Sequence, residues 1–165
     1  GRVKDSLVSR GEVVNTVSAT ISCERADAQL GRLPLHRINP FRLIGFFPEN
    51  LEIVEWRWDL TTLVRKEHRW KAQQWISSWF DEPTAQRIRG ANFRRAQTQP
   101  SAGSLPWLRR LHRSHLPDAG PFSTCMHRHD AATVSYTEIS AVSSRASMRY
   151  NAFAPCTSKL LRGIV

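Results

Sequence analysis

The segment at residues 125–130, which reads CMHRHD, places a thiol, two imidazoles and a carboxylate close together. In an extended strand, Cys125, His127 and His129 point to one face and the residues between them point to the other. Thiolates and imidazoles are ligands that zinc accepts, so the segment could hold a metal ion. It could also supply a Cys–His nucleophile pair, or form two strands that meet at a polar turn.

Strand geometry limits what this segment can do by itself. Alternate side chains on one strand lie ~6–7 Å apart at their Cα atoms, whereas ligand atoms lie ~2.0–2.3 Å from zinc. Two of the three side chains could converge on an ion, and His112 or His115 could add a further ligand. A Cys–His nucleophile pair needs hydrogen-bond contact and a third, orienting group, which neighbours on one strand rarely provide.

These limits favour a strand-turn-strand scaffold. In this interpretation Cys125 is a small buried residue and His127 is a hydrogen-bonded strand residue. We therefore predict no catalytic, cofactor-binding or metal-binding residue in this chain, and no cofactor.

The composition is that of a basic globular protein. The chain has 165 residues, 41% of them hydrophobic, which suits one domain with its own core. No apolar run approaches the ~20 residues that span a bilayer, and the N-terminal residues do not resemble a signal peptide. The three cysteines are widely spaced and form no CxxC pair, which favours reduced thiols and a cytoplasmic location.

Positive charge is concentrated in one stretch of the chain. The formal net charge is +10, and residues 83–117 contain seven arginines and no acidic residue. Such a stretch is typical of nucleic-acid-binding proteins, but it also occurs as a solvated helical face, which we favour here. The seven residues are Arg87, Arg89, Arg94, Arg95, Arg109, Arg110 and Arg113.

Residue periodicity predicts helices and then a hairpin in the first half of the chain. Ser9 and Glu12 form a capping box that begins a helix ending at about Ser22. A short second helix is predicted at 26–33, before Pro34. Strands are predicted at 41–47 and 51–60, as a hairpin, and again at 75–80.

Two helices and a meander are predicted for the second half. Asp81 caps a helix with Pro83 in its first turn, and Ser104 caps the next helix. Strands are predicted at 122–129, 133–142 and 146–153, joined by turns at 130–131 and 143–144. The predicted fold class is therefore α+β, with antiparallel sheets and helices on their outer faces, in a single domain over residues 1–165.

The order of several motifs resembles a known family. The motifs are SRGEVV, LPLHRINPFRLIGF, EWRWDL, SSWFDEP, GPFSTCMHRHDAATVSYTEI, RASMRY and a late PC at 155–156. Together they resemble the bacterial NRDE-domain proteins, which are similar to transport and Golgi organization protein 2. The resemblance implies part of an αββα sandwich of the N-terminal-nucleophile-hydrolase type. It also implies that this chain is the C-terminal part of a larger domain whose N-terminal half is missing.

The resemblance implies amide hydrolysis by the full-length parent. In that mechanism an N-terminal Cys thiolate attacks the carbonyl and its own α-amino group acts as the base. This chain has neither that Cys nor an Asn-Arg-Asp-Glu motif, so we expect it to be inactive alone. His127 and Arg128 would then be weak contributors to a site completed elsewhere.

Two other functions stay open as alternatives. One is a basic module that binds nucleic acid through the helices of 83–117, and the other is a metal-dependent enzyme that uses Cys125, His127 and His129. For the leading interpretation we expect a second copy or the missing half as partner and a small amide as the parent's substrate. Neither nucleic acid nor a membrane is expected as a partner.

A missing half would leave part of a sheet uncovered. An exposed apolar face would make the chain marginally stable, or would lead it to self-associate. The residues expected on that face are Val54, Trp56, Trp58, Val134, Tyr136 and Ile139.

Overall fold

The computed structural model describes residues 8–78, 80–142 and 145–157. Its contacts divide the chain into two units, Gly1–Lys71 and Ala72–Val165. Both units contain helices and antiparallel strands, so the predicted α+β class is confirmed. No helix within the described residues is long and apolar enough to cross a membrane.

Two short helices begin the first unit where one long helix and one short helix are predicted. Helix α1, Arg10–Val17, has Ser9 as its N-cap, as predicted. It ends well before Ser22, because Ser18 takes the C-cap position and bonds back into the last turn. Ser22 instead caps the second helix, α2, Cys23–Leu30.

A three-stranded antiparallel sheet follows, in the order β1-β2-β3. Strands β1, Phe41–Phe47, and β2, Glu52–Trp58, form the predicted hairpin. The third strand, β3, is Leu63–His68 and not the predicted 75–80, where residues 75–78 are irregular and Trp79 lies outside the described residues. Strand β3 is charged and largely exposed, as is common for an edge strand.

The helices of the first unit cover one face of this sheet. Val54 and Trp56 of β2 are buried in one cluster with Val13, Ala26 and Leu30 of the helices. The Trp56 indole also donates a 2.6 Å hydrogen bond to Asp27 on α2. The expectation that Val54, Trp56 and Trp58 lie on an uncovered face is therefore wrong, because the chain's own helices bury the first two and all three are buried.

The second unit begins with the two predicted helices. Helix α3, Glu82–Gln97, is capped by Asp81, and helix α4, Leu105–His112, is capped by Ser104. Two strands follow, β4 at Tyr136–Val142 and β5 at Arg145–Asn151, paired antiparallel.

The predicted first strand of the meander, 122–129, is not a strand in the structure. It contributes one isolated bridge, between His127 and Ala132. The buried Ser123 hydroxyl lies 2.6 Å from the Cys125 carbonyl oxygen, and the Cys125 amide donates to the Ser114 carbonyl. Backbone groups that a strand would use are thus engaged by a side chain and by the end of α4. The predicted turn at 143–144 lies outside the described residues.

The β4–β5 hairpin is buried only at its open end, and most of β5 is exposed on both faces. Tyr136 and Glu138 are buried, whereas Ile139 and Met148, which are paired across the strands, are both exposed. Of the residues expected on an uncovered surface, Val134 and Ile139 are exposed and Tyr136 is not.

Candidate metal centre

Four side chains with metal-ligand chemistry meet in the Ala72–Val165 unit. The donor atoms of His115, Cys125, His127 and Cys156 all lie within 4.8 Å of one another. They come from three segments: the residues after α4, the CMHRHD segment, and a turn near the end of the described chain. Two thiols and two imidazoles from separate segments are the ligand set of many zinc sites.

Backbone hydrogen bonds position the three segments. The Cys125 amide donates to the Ser114 carbonyl at 3.0 Å, which fixes Cys125 beside the histidine that follows Ser114. The His127 amide donates to the Gly120 carbonyl at 3.2 Å. The turn that carries Cys156 is closed by a 3.0 Å hydrogen bond from the Thr157 amide to the Ala154 carbonyl. Backbone hydrogen bonds outside the cluster therefore hold the chain at or next to Cys125, His127 and Cys156.

The distances within the cluster match a tetrahedral site. With Zn–N of ~2.0–2.1 Å and Zn–S of ~2.3 Å, tetrahedral geometry places two nitrogens ~3.3 Å apart and a nitrogen and a sulfur ~3.6 Å apart. The Nε2 atoms of His115 and His127 are 3.2 Å apart. From His127 Nε2 the Sγ atoms of Cys125 and Cys156 lie at 3.7 and 3.5 Å.

Hydrogen bonding alone does not account for this arrangement. A neutral imidazole nitrogen carries either one proton or one lone pair, so it suits one hydrogen-bond partner. Three atoms nevertheless lie within 3.7 Å of His127 Nε2: His115 Nε2, Cys125 Sγ and Cys156 Sγ. A cation at the centre of the four atoms would satisfy all of them at once. Two thiolates also neutralise the charge of a Zn²⁺ ion, which lowers the cost of burying it.

Without a metal, the thiol of Cys125 is held in its neutral form. Burial raises the pKa of Cys125 to about 11, so little thiolate would exist at neutral pH. A nucleophilic cysteine needs a lowered pKa and an oriented base. Within the described residues, the polar side-chain partners of His127 are the other three members of the cluster, with no carboxylate among them. Without a bound metal, Cys125 therefore lacks the features of a catalytic nucleophile.

The other polar residues of the CMHRHD segment lie away from the cluster. The side chain of His129 is 96% exposed, so it does not join Cys125 and His127 as the strand pattern predicts. The Arg128 guanidinium lies over the Phe80 ring and donates to Asp130, and this bond lowers the pKa of the Asp130 carboxyl. The chain bends at 129–130, where the Arg128 amide donates to the Ala131 carbonyl at 2.7 Å, so the extended conformation ends before His129.

The other two members of the cluster are His115, which the sequence offers as one of two candidate ligands, and Cys156, which it does not offer. Of His112 and His115, only His115 joins the cluster, because α4 ends at His112 and the chain then turns toward Cys125. The His112 ring packs on Tyr136, and burial lowers its pKa. Cys156 appears in the sequence only as part of the late PC motif. Cys156 is far from Cys125 along the chain, and no sequence pattern indicates that the two residues are in contact.

Several arginines of the basic stretch have structural partners. Arg109 is buried and forms a two-pronged ion pair with Glu138. Arg89 donates to the carbonyls of Pro121 and Ser123. These two side chains are not available to a nucleic acid, whereas Arg94 and Arg95, at the end of α3, are exposed.

Within the described residues, each unit has a small surface cleft. One, of about 150 Å³, is lined by α3 and α4 residues including Arg95, Trp107 and Arg110. The other, of about 240 Å³, is lined by β2 and β3 residues including Glu52 and His68. Both are smaller than the ~300–1,000 Å³ typical of small-molecule sites, so neither suggests a substrate pocket.

Comparison with known proteins gives no independent assignment. No family model matches the chain, and no curated protein and no solved structure matches it. The resemblance to NRDE-domain proteins therefore stays a prediction from the motifs, and the chemistry of this chain is argued from its own four-residue cluster.

Proposed function

We propose that this protein binds one Zn²⁺ ion through His115, Cys125, His127 and Cys156, and that the ion stabilises the Ala72–Val165 unit. The observation that carries the proposal is the convergence of four ligand atoms within 4.8 Å, in which His127 Nε2 lies at tetrahedral separations from the other three.

The ligand count favours a structural role for the ion. Catalytic zinc sites have three protein ligands and keep one position for water or substrate, whereas structural sites have four protein ligands. All four positions here would be filled by the chain. The ion would link the end of α4 to two irregular segments that have few regular backbone hydrogen bonds of their own.

The ligand types favour zinc over other divalent metals. Mg²⁺ and Ca²⁺ prefer oxygen ligands, and no carboxylate belongs to the cluster. Tetrahedral sites with two sulfur and two nitrogen ligands are typical of zinc. Co²⁺ is a useful probe because it takes the same geometry and absorbs visible light.

The test is metal binding by the purified full chain. We expect one zinc per chain by elemental analysis. We also expect a Co²⁺ spectrum of tetrahedral geometry with a thiolate-to-cobalt charge-transfer band. Loss of a residue that only hydrogen-bonds to a metal ligand weakens metal binding by ~10–100-fold. The variant His127→Ala removes a ligand itself, so its Zn²⁺ affinity should fall by more than this.

The same segment offers a matched control. His129→Ala removes an identical side chain two residues away, and that side chain is 96% exposed, so its zinc affinity should equal that of the parent. Equal loss in both variants, or a Co²⁺ spectrum without the thiolate band, would contradict the proposed site. Circular dichroism of each variant with and without zinc separates a lost ligand from a lost fold.

The predicted place of this chain in a larger amidohydrolase-like sandwich is compatible with a structural ion. That prediction is supported by the order of the sequence motifs. The αββα sandwich and the inactivity of this chain by itself remain predictions. In that setting the zinc unit would act as scaffold, and the reacting groups would come from the other half.

A further inference from the structure

The same cluster holds two of the three thiols of the chain. The Sγ atoms of Cys125 and Cys156 lie within 4.8 Å of each other, and neither cysteine is in a disulfide bond. A disulfide bond is ~2.05 Å long, so joining them requires the two side chains to approach by less than ~3 Å in total.

We infer that Cys125 and Cys156 form a two-electron redox pair, whose oxidation to a disulfide expels the metal. This inference rests on the proposed zinc site. Cysteine binds a metal as its thiolate, so a disulfide between these residues would remove two of the four ligands. The remaining imidazoles of His115 and His127 cannot hold Zn²⁺ tightly alone.

Burial determines the order in which the thiols react. Cys125 is fully buried, whereas Cys156 is partly exposed. An external oxidant therefore meets Cys156 first, and Cys125 acts as the resolving thiol behind it. This arrangement of an accessible cysteine beside a resolving cysteine is the one that redox-sensing sites use.

The chemistry balances with a small-molecule disulfide as oxidant. The Cys156 thiolate attacks one sulfur of the oxidant, forming a mixed disulfide and releasing one small thiolate. The Cys125 thiolate then attacks Cys156, forming the protein disulfide and releasing the second small thiolate. Two electrons pass from the protein to the oxidant, both released thiolates take protons from water, and Zn²⁺ leaves.

The third cysteine provides an internal comparison. Cys23 is buried in the first unit, where its thiol donates to the carboxylates of Glu24 and Glu52. Its exposed fraction is 2%, and no other cysteine lies in that unit. Cys23 should therefore stay reduced while the pair reacts, because it is shielded from an external oxidant and has no second thiol in its unit.

The experiment treats the zinc-loaded full chain with oxidised glutathione and follows zinc release with a chromogenic chelator. We expect the release of the bound zinc, loss of two of the three free thiols, and a peptide map with a Cys125–Cys156 link. A reducing agent with added zinc should reverse all three. Cys23→Ala should behave as the parent, and Cys156→Ser should give no internal disulfide.

A second arm uses the metal-free chain, so that the two proposals can fail separately. A chain that binds no zinc but still forms the Cys125–Cys156 link refutes the metal site and supports the thiol pair. Zinc that stays bound, stable mixed disulfides with glutathione, or a link that involves Cys23 would overturn the redox inference while leaving the metal site intact.

Discussion

The buried ion pair between α4 and the β4–β5 hairpin allows a quantitative test. Arg109 donates to both carboxylate oxygens of Glu138 at 2.7 Å, and the Tyr136 hydroxyl lies 3.3 Å from one of them. Only 8% and 7% of the two charged side chains are exposed. The change to make is Arg109→Met, which keeps the apolar stem and removes the charge.

The expected cost follows from the burial of the remaining carboxylate. Removing one partner of a buried ion pair costs ~3–5 kcal/mol, because the other charge stays buried without compensation. For a chain of 165 residues, 1 kcal/mol changes the melting temperature by ~2–4 °C. The melting temperature of Arg109→Met, measured by circular dichroism, should therefore fall by at least ~6 °C, and urea unfolding should give the loss of free energy directly.

The pH dependence distinguishes a charge effect from a packing effect. The bond from Arg109 lowers the pKa of Glu138, so in the parent this stabilisation is present above the unfolded pKa of ~4.3 and is lost as the pH falls through the lower folded value. In Arg109→Met, burial without a partner raises that pKa, and protonation removes the penalty. The difference in unfolding free energy between parent and variant should therefore shrink as the pH falls below ~5.

The neighbouring residue is the matched control. Arg110 is exposed, so Arg110→Met should change stability by no more than ~0.5 kcal/mol. The double variant Arg109→Met/Glu138→Leu should recover most of the loss, since replacing both charges with apolar groups is often neutral or stabilising. Equal stability of the Arg109 and Arg110 variants would refute the argument that the Arg109–Glu138 pair is a buried, stabilising contact.

Three further predictions concern the sheet of the first unit, the basic helix α3 and catalysis. A Cβ at Gly45 would lie 2.8 Å from Cζ3 of Trp56, so Gly45→Ala should lower the unfolding free energy in urea by ~1–3 kcal/mol, whereas Gly90→Ala on α3 should be neutral or stabilising. Fluorescence anisotropy with duplex DNA or RNA should show only weak, sequence-independent binding that declines steeply with salt. Sub-micromolar, sequence-selective binding that is lost when Arg94 and Arg95 are neutralised would support the nucleic-acid hypothesis instead. The purified chain should hydrolyse no amide or ester in a chromogenic panel, and measurable turnover would make it an enzyme.

Local hydrogen bonding made much of the fold predictable. The caps at Ser9, Asp81 and Ser104 each involve a side chain and an amide within three residues, so a short motif carries the information. The β1–β2 hairpin is predictable for the same reason, because its apolar strands are joined by a short turn. Strand β3 was missed because an exposed edge strand can be charged throughout and still pair with β2.

Only part of the candidate site could be predicted. Cys125 and His127 are two residues apart and both can bind a metal, and His115 could be proposed as an additional ligand. Three of the four residues could therefore be named as possible ligands from the sequence. The contact with Cys156 depends on tertiary packing across about 30 residues, where closing the loop is governed by the rest of the unit. His129 shows the opposite error, since a strand pattern cannot show where a turn interrupts the strand.

The order of the ligands along the chain has a consequence for synthesis. His115, Cys125 and His127 leave the ribosome together, and Cys156 follows 29 residues after His127. At ~5–20 residues per second this delay is roughly 1.5–6 s. At the proposed site, a zinc ion bound in that interval would have three protein ligands and one open position, which is the coordination of catalytic zinc sites. The arrival of Cys156 would close that position, so the last ligand to be made would convert an open site into a closed, structural one.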